Sequence, residues 1–247
     1  MKLEEGIFEE NYITSFAQTG VHKLLTNKSI LSLMEKIAGA HSAYCNFSFD
    51  DLAKKDLSWI ILSWKLKVIK RPKANEKIII KTWGRFHNKL FVIRDFKLLN
   101  EKGELCAIAS SKWCLFDVIN HKIARMPENI EEVYNGFRNE SVFGIEDIHR
   151  LSEPKTNPID IDTYKIRRFD IDINKHVHNT NYINFAYEVL PFDVYMGDEL
   201  NNLDIMYKRE IKFGETIKSF LYEENGVYKI VIKSEDEKIL HSIVKIY

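Results

Sequence analysis

Val227-Tyr-Lys-Ile-Val-Ile-Lys233 has the two-residue alternation of a β-strand with one apolar face to bury. A lone strand has nowhere to put that face, and its flanks supply the neighbours. Residues 203–208, 216–223 and 239–246 are strand-like too, with turn residues at 212–215, 224–226 and 236–238. Short connections of this kind join antiparallel neighbours, so the second half of the chain reads as an antiparallel meander. Before it, Tyr182, Ile183, Phe185, Ala186, Val189 and Leu190 recur at helical spacing until Pro191 closes the run. One helix is thus available to cover one sheet face.

The first half repeats the plan. Residues 26–44 carry Ile30, Leu33, Met34, Ile37 and Ala38 at three- and four-residue intervals, with Asn27 and Ser29 as capping candidates. Strand-like segments follow at 59–69, 77–86, 90–99 and 105–116, joined at 72–76, 87–89 and 100–104. Asn75-Glu-Lys-Ile78 falls on Gly214-Glu-Thr-Ile217, each opening a strand. The expected fold class is α+β: two tandem units, each an antiparallel sheet wrapped around a central helix. The acidic segment 127–158 holds Pro127, Pro154 and Pro158 and reads as the linker, which divides the chain into domains 1–150 and 151–247. The plainer alternative is the pseudo-repetition that any β-rich chain shows.

Composition narrows the classes of function. The 247 residues carry 36 Lys+Arg against 36 Asp+Glu, so no overall field favours nucleic acid or an anionic membrane. No apolar run reaches the ~20 residues that span a bilayer. Cys45, Cys106 and Cys114 are odd in number and lack CxxC spacing, which disfavours a disulfide scaffold or a zinc ribbon. The start has acidic residues where a signal peptide would be apolar. The chain reads as cytoplasmic, or as an organellar protein already trimmed.

The chemistry concentrates in Asp170-Ile-Asp-Ile-Asn-Lys-His-Val-His-Asn-Thr-Asn-Tyr182. If extended, it lines up Asp170, Asp172, Asn174 and His176 on one face, with Ile171 and Ile173 on the other. A carboxylate, an amide and an imidazole then stand beside a helix start, whose open N–H groups suit a carbonyl oxygen gaining charge. That set fits hydrolysis of an activated acyl group. His176-Val-His178 has no third ligand at helpful spacing, so neither metal nor cofactor is expected. Asp172 and Asn174 are also ordinary turn and capping residues.

Here the sequence resembles the acyl-acyl carrier protein thioesterases of plants and bacteria, built from two tandem hotdog domains. Asp170-Ile-Asp-Ile-Asn-Lys-His-Val-His-Asn179 is similar to that family's Asp-Leu-Asp-Val-Asn-Gln-His-Val-Asn-Asn signature. The likeness continues through Tyr182-Ile183, Glu188-Val-Leu-Pro191 and Tyr207-Lys-Arg-Glu210, the last against Tyr-Arg-Arg-Glu-Cys. The resemblance implies a thioester hydrolase with Asp172, Asn174, His176 and Glu210 as catalytic set. Glu210 would be the base for water attack, Asn174 and His176 would position the water and shuttle its proton, and Asp172 would orient them. The family's Cys after the Glu is Ile211 here, so a Cys-His-Asn triad at that position is excluded.

The first half has Arg71 where the repeat puts Glu210, and no Asp-x-Asn-x-His before its helix, so it reads as catalytically silent. In the family this unit encloses the acyl chain, which makes Met34, Ile37, Ala38 and Trp83 lining residues, with ordinary core as the alternative. The resemblance further implies acyl carrier protein as partner, and the basic run Lys65-x-Lys67-x-x-Lys70-Arg71-Pro-Lys73 is the docking candidate for that acidic protein, with Lys208 and Arg209 as weaker additions. The alternative for that run is a strand edge defended by Lys. An acyl-coenzyme A thioesterase of the same fold and a non-hydrolytic acyl-binding module stay open, as does a homodimer.

Overall fold

The computed structural model describes every residue except 1, 87, 135, 137, 139, 145–147, 198 and 199, and only the backbone of 2–4 and 86. Residue 87, at the start of the expected 87–89 turn, and six positions of the expected 127–158 linker lie outside the described residues. The chain divides into two compact units, Met1–Ile148 and His149–Tyr247.

The first unit runs β1 (Lys2–Glu4), β2 (Ile7–Ile13), α1 (Asn27–Tyr44), α2 (Phe49–Ala53), β3 (Leu57–Val68), β4 (Lys77–Phe86), β5 (Phe91–Asn100), β6 (Leu105–Asp117), β7 (Lys122–Ala124) and α3 (Ile130–Val133). Its strands pair antiparallel in the order β1-β2-β4-β5-β6-β3, with β7 on the end of β6. The helix starts where the Thr26 hydroxyl accepts the Ser29 N–H at 3.1 Å, and leaves through Asn46 at φ 56°, a left-handed turn that Asn tolerates. Ile30, Leu33, Met34, Ile37, Ala38 and His41 form its buried stripe, with β2 and β4 among the strands beneath it. Each large apolar side chain in that stripe contributes about 1.5–3 kcal/mol by leaving water.

The second unit runs β8 (Asp160–Lys165), α4 (Asn181–Glu188), α5 (Phe192–Met196), β9 (Asn202–Tyr207), β10 (Thr216–Glu224), β11 (Val227–Ser234) and β12 (Leu240–Ile246). Its strand order is β9-β12-β11-β10-β8, antiparallel throughout. Tyr182, Ile183, Phe185 and Ala186 of α4 are buried, with β11 and β12 among its neighbours. Each unit is therefore a helix laid on an antiparallel meander, the tandem hotdog architecture expected from the sequence. No described helix is long and apolar enough to cross a membrane.

The duplication extends to single hydrogen bonds ahead of each helix. Gly20 N–H donates to Leu24 O at 3.0 Å, as Asp172 N–H does to His176 O at 2.9 Å. Leu25 N–H reaches Pro72 O, and Val177 N–H reaches Ile211 O, both at 2.9 Å. Lys23 and Lys175 take the same left-handed backbone, φ 60° and 65°. These pairings place Gly20, His22, Leu24 and Arg71 where the second unit has Asp172, Asn174, His176 and Glu210.

Three sequence expectations are corrected. Segment 168–176 is not extended: Arg168–Asp170 is a 3-10 turn, and 172–176 closes on itself through Lys175 N–H to Asp172 O and Asp172 N–H to His176 O. Ile173 is consequently 76% exposed instead of facing a core. The start of the expected linker belongs to the first unit's core, because Met126, Ile130 and Tyr134 pack with Phe47, Leu52, Val92 and Leu115. Helix α4 ends before the apolar run does, since Pro191 lies at the start of a separate turn of helix, α5.

The first unit also buries a polar cluster. His41 stacks parallel to Phe8 at 4.9 Å and meets the Tyr134 ring edge-on at 5.0 Å. Its Nδ1 lies 3.0 Å from Arg94 Nη1, and since a guanidinium only donates, Nδ1 accepts and the ring is neutral. Burial and the Arg94 charge push the imidazole pKa down to about 2.

Candidate active site

The 172–176 turn and the segment between β9 and β10 are held together by main-chain contacts. Val177 N–H donates to Ile211 O at 2.9 Å, and His176 pairs with Lys212 in an isolated antiparallel bridge. That register brings the strand-end carboxylate to the imidazole: His176 Nε2 and Glu210 Oε1 are 3.8 Å apart. The separation exceeds a direct hydrogen bond and lets one water contact both atoms. Both side chains meet solvent, at 36% and 55% exposure.

Asp172 acts on its own loop. One carboxylate oxygen accepts the Asn174 N–H at 2.8 Å, an Asx turn, and the other lies 3.4 Å from Asn174 Nδ2. Asp172 thus orients Asn174 directly, and it bonds to His176 through the main chain. Lys175 holds φ 65°, the left-handed position this tight loop requires. His178 turns away to the α4 start, with Nδ1 3.0 Å from Thr180 Oγ1.

The helix start is less open than the sequence suggests. Thr180 N–H reaches His178 Nδ1 at 3.3 Å, Asn181 N–H reaches His178 O at 2.8 Å, and Ile183 N–H reaches Thr180 O at 3.3 Å. Three donors that a carbonyl oxygen would use already have acceptors. The cause is that α4 begins with a tight turn that satisfies its own amides.

The sequence reading places Tyr182 in the motif and on the apolar face of the helix and gives it no chemical part. It is buried, its ring meets Tyr207 edge-on at 5.2 Å, and the Ile211 main chain hydrogen-bonds its hydroxyl. Burial first, and then the Glu210, Glu215 and Asp172 charges, hold the phenol pKa above its usual value, against the pull of the Ile211 contact. The hydroxyl therefore stays protonated among carboxylates, next to the residue that follows Glu210. Its place in the first turn of the helix, directly after the motif, is the signal that would have found it.

The first unit replaces this chemistry with structure. Arg71, at the position of Glu210, donates from Nη1 to Leu25 O at 3.0 Å and from Nη2 to Asn27 Oδ1 at 2.9 Å, clamping the start of α1. Lys70 pairs with Glu104 at 3.8 Å, while Lys67 and Lys73 are exposed. Met34, Ile37, Ala38 and Trp83 are all buried, with Trp83 Nε1 donating to Glu140 O at 3.3 Å. The three cysteines are free thiols. Burial raises the pKa of each, to about 11 for Cys114, which opposes a thiolate nucleophile. Among the described residues no group of three or more His, Cys, Asp or Glu could hold a metal ion.

Residues 5–134 match the family model for the acyl-ACP thioesterase N-terminal domain, and residues 153–245 match that for the C-terminal domain. The chain is 25% identical over 239 residues to an oleoyl-acyl carrier protein thioesterase 2, chloroplastic, of Arabidopsis thaliana, covering 90% of this chain and 65% of that relative. The chain thus spans just under two thirds of that relative's length. Its fold is similar to the crystal structure of an acyl-ACP thioesterase from Bacteroides thetaiotaomicron, with TM-score 0.88 and 21% identity over 100% of this chain and 99% of the other. It is also similar to the 12:0-ACP thioesterase from Umbellularia californica, with TM-score 0.85 and 15% identity over 100% and 98%.

Proposed function

The chain belongs to the acyl-ACP thioesterase family, and from that premise we propose that it hydrolyses fatty acyl-acyl carrier protein to free fatty acid and holo carrier protein. The observation that carries this reading is the 3.8 Å approach of His176 Nε2 to Glu210 Oε1. A water held by both atoms gives up a proton to Glu210 as its oxygen bonds to the thioester carbonyl carbon. The carbonyl electron pair moves onto oxygen, while the Asn174 amide, kept in place by Asp172, helps His176 to position the water. Collapse of the intermediate breaks the C–S bond, and the pair leaves on sulfur. The proton taken by Glu210 reaches that sulfur through His176.

The first unit holds the acyl chain, with Met34, Ile37, Ala38 and Trp83 as lining residues; the burial of all four supports an apolar setting. The replacement of the catalytic positions by Gly20, His22, Leu24 and Arg71 supports a non-catalytic part for this unit. We place the protein in the cytoplasm, where its three free thiols would stay reduced.

The test is incubation with acyl carrier protein loaded with a ladder of chain lengths, with released acids read by mass spectrometry. Release of free acid at a rate proportional to enzyme is the expected result. Thioester left intact in stoichiometric complex with the protein would overturn hydrolysis and favour a binding module.

A further inference from the structure

Around the His176–Glu210 pair the second unit presents unpaired positive charge. Arg168, Lys175, Arg209 and Lys212 are all exposed, and among the described residues none of them is in an ion pair. With the exposed Arg167 and Lys208 the rim carries six cations against the four carboxylates of Asp170, Asp172, Glu210 and Glu215, three of which are held by main-chain amides and not by these side chains. Asp170 Oδ2 accepts Arg167 N–H at 2.7 Å, Asp172 Oδ1 accepts Asn174 N–H at 2.8 Å, and Glu215 Oε2 accepts Lys212 N–H at 2.8 Å. Three apolar side chains stand among the cations: Phe169 is fully exposed, Ile173 is 76% exposed and Phe213 is 58% exposed.

Local hydrogen bonding makes this one surface. Ile173 and Lys175 belong to the 172–176 turn, and His178 N–H to Asp170 O at 2.9 Å ties that turn to the 3-10 turn with Arg168 and Phe169. The His176–Lys212 bridge brings up Lys212 and Phe213, and Arg209 precedes the catalytic carboxylate. None of the three apolar residues packs in a described core cluster, so together they leave apolar surface open beside the cations.

We propose that this rim of the second unit is the docking surface for the acidic carrier protein, with Arg168, Lys175, Arg209 and Lys212 meeting its carboxylates and Phe169, Ile173 and Phe213 meeting its apolar side chains. The inference rests on the proposed hydrolysis of acyl carrier protein thioesters and adds where the carrier sits. Charge complementarity selects the partner: a rim with more cations than carboxylates steers an anionic protein and suppresses cationic ones. Its place selects it as well, since a carrier seated there delivers its prosthetic arm beside the reacting residues. The basic run in the first unit is weaker on both grounds, because Arg71 is turned into the fold and Lys70 is already paired.

The test compares acyl carrier protein with an acyl-pantetheine thioester of the same chain length, which needs no docking. Arg168→Glu/Lys212→Glu and, separately, Phe169→Ser/Phe213→Ser should lower kcat/KM on the carrier substrate at least tenfold, chiefly through KM. Both should leave acyl-pantetheine hydrolysis within about twofold, and rising salt should weaken the wild type on the carrier substrate alone. Equal losses on both substrates, no loss on either, or a loss produced by Lys67→Glu/Lys73→Glu instead would overturn the assignment. So would unchanged carrier kinetics with binding to anionic vesicles that the charge-reversed variant loses, which would make the rim a membrane contact. A wild type that cleaves acyl-pantetheine but no carrier thioester would refute the carrier-protein reading itself, a result distinct from all of these.

Discussion

Replacing Glu210 by Gln tests the proposed chemistry with little disturbance to anything else. The amide has the shape of the carboxylate and keeps its place 3.8 Å from His176 Nε2, but it cannot take a proton from water. General-base catalysis contributes about 10²–10⁴ in rate, or roughly 3–5 kcal/mol of barrier. The variant should therefore lose about that factor in kcat, with KM nearly unchanged, because the carboxylate acts on water and not on the acyl chain. Stability should hardly move. The side chain is 55% exposed and has His176 as an ionic neighbour, and exposed pairs of this kind contribute about 0–1 kcal/mol. In a chain of this size that is no more than about 4 °C in Tm. The assay is acid release from acyl carrier protein by mass spectrometry, beside a thermal melt. A turnover within about fivefold of wild type, with an unchanged melt, would remove Glu210 from the mechanism.

Ala38→Leu separates lining from core in the first unit: if α1 faces the acyl chain, product acids shift to shorter lengths with stability nearly kept. If Ala38 is core, the extra methylenes cost about 1–3 kcal/mol and the product profile stays the same. Unfolding free energy should fall as pH drops below about 6.5, because unfolded His41 binds a proton there and the folded imidazole, held down to about 2, does not. Stability is thus full above 6.5 and is lost as pH falls, by roughly 1.4 kcal/mol per pH unit from this group well below that point; His41→Gln should flatten urea midpoints measured between pH 7 and 5, and an unchanged slope would contradict the burial argument. Cys114, pushed up to about 11 by burial, should resist iodoacetamide in the folded protein at pH 7, as read by intact mass, and rapid labelling without loss of structure would contradict its inert assignment.

The architecture was legible because its signals are local. A two-residue period marks residues 227–233 as strand, and a 3.6-residue period marks Ile30 to Ala38 as helix, whatever surrounds them. The alignment of Asn75-Glu-Lys-Ile78 on Gly214-Glu-Thr-Ile217 is also local, and it placed Arg71 opposite Glu210 before any hydrogen bond was known. Strands β2 and β8 went unread, because Ile7–Ile13 and Asp160–Lys165 are rich in polar residues, with no continuous apolar face to announce them.

What sequence alone determined is the inventory: two helices, two meanders, a motif rich in Asp, Asn and His, and Ile211 where a nucleophilic cysteine would have to be. Tertiary structure decided the juxtaposition. The bonds from Val177 to Ile211 and between the His176 and Lys212 segments join residues far apart in the chain, and they alone carry Glu210 to the imidazole. Main-chain closure likewise folded 172–176 into a turn that alternation reads as strand, turning Ile173 outward. Side-chain periodicity reports which face is apolar; it holds no record of which amide finds which carbonyl, and that pairing sets the geometry of the site.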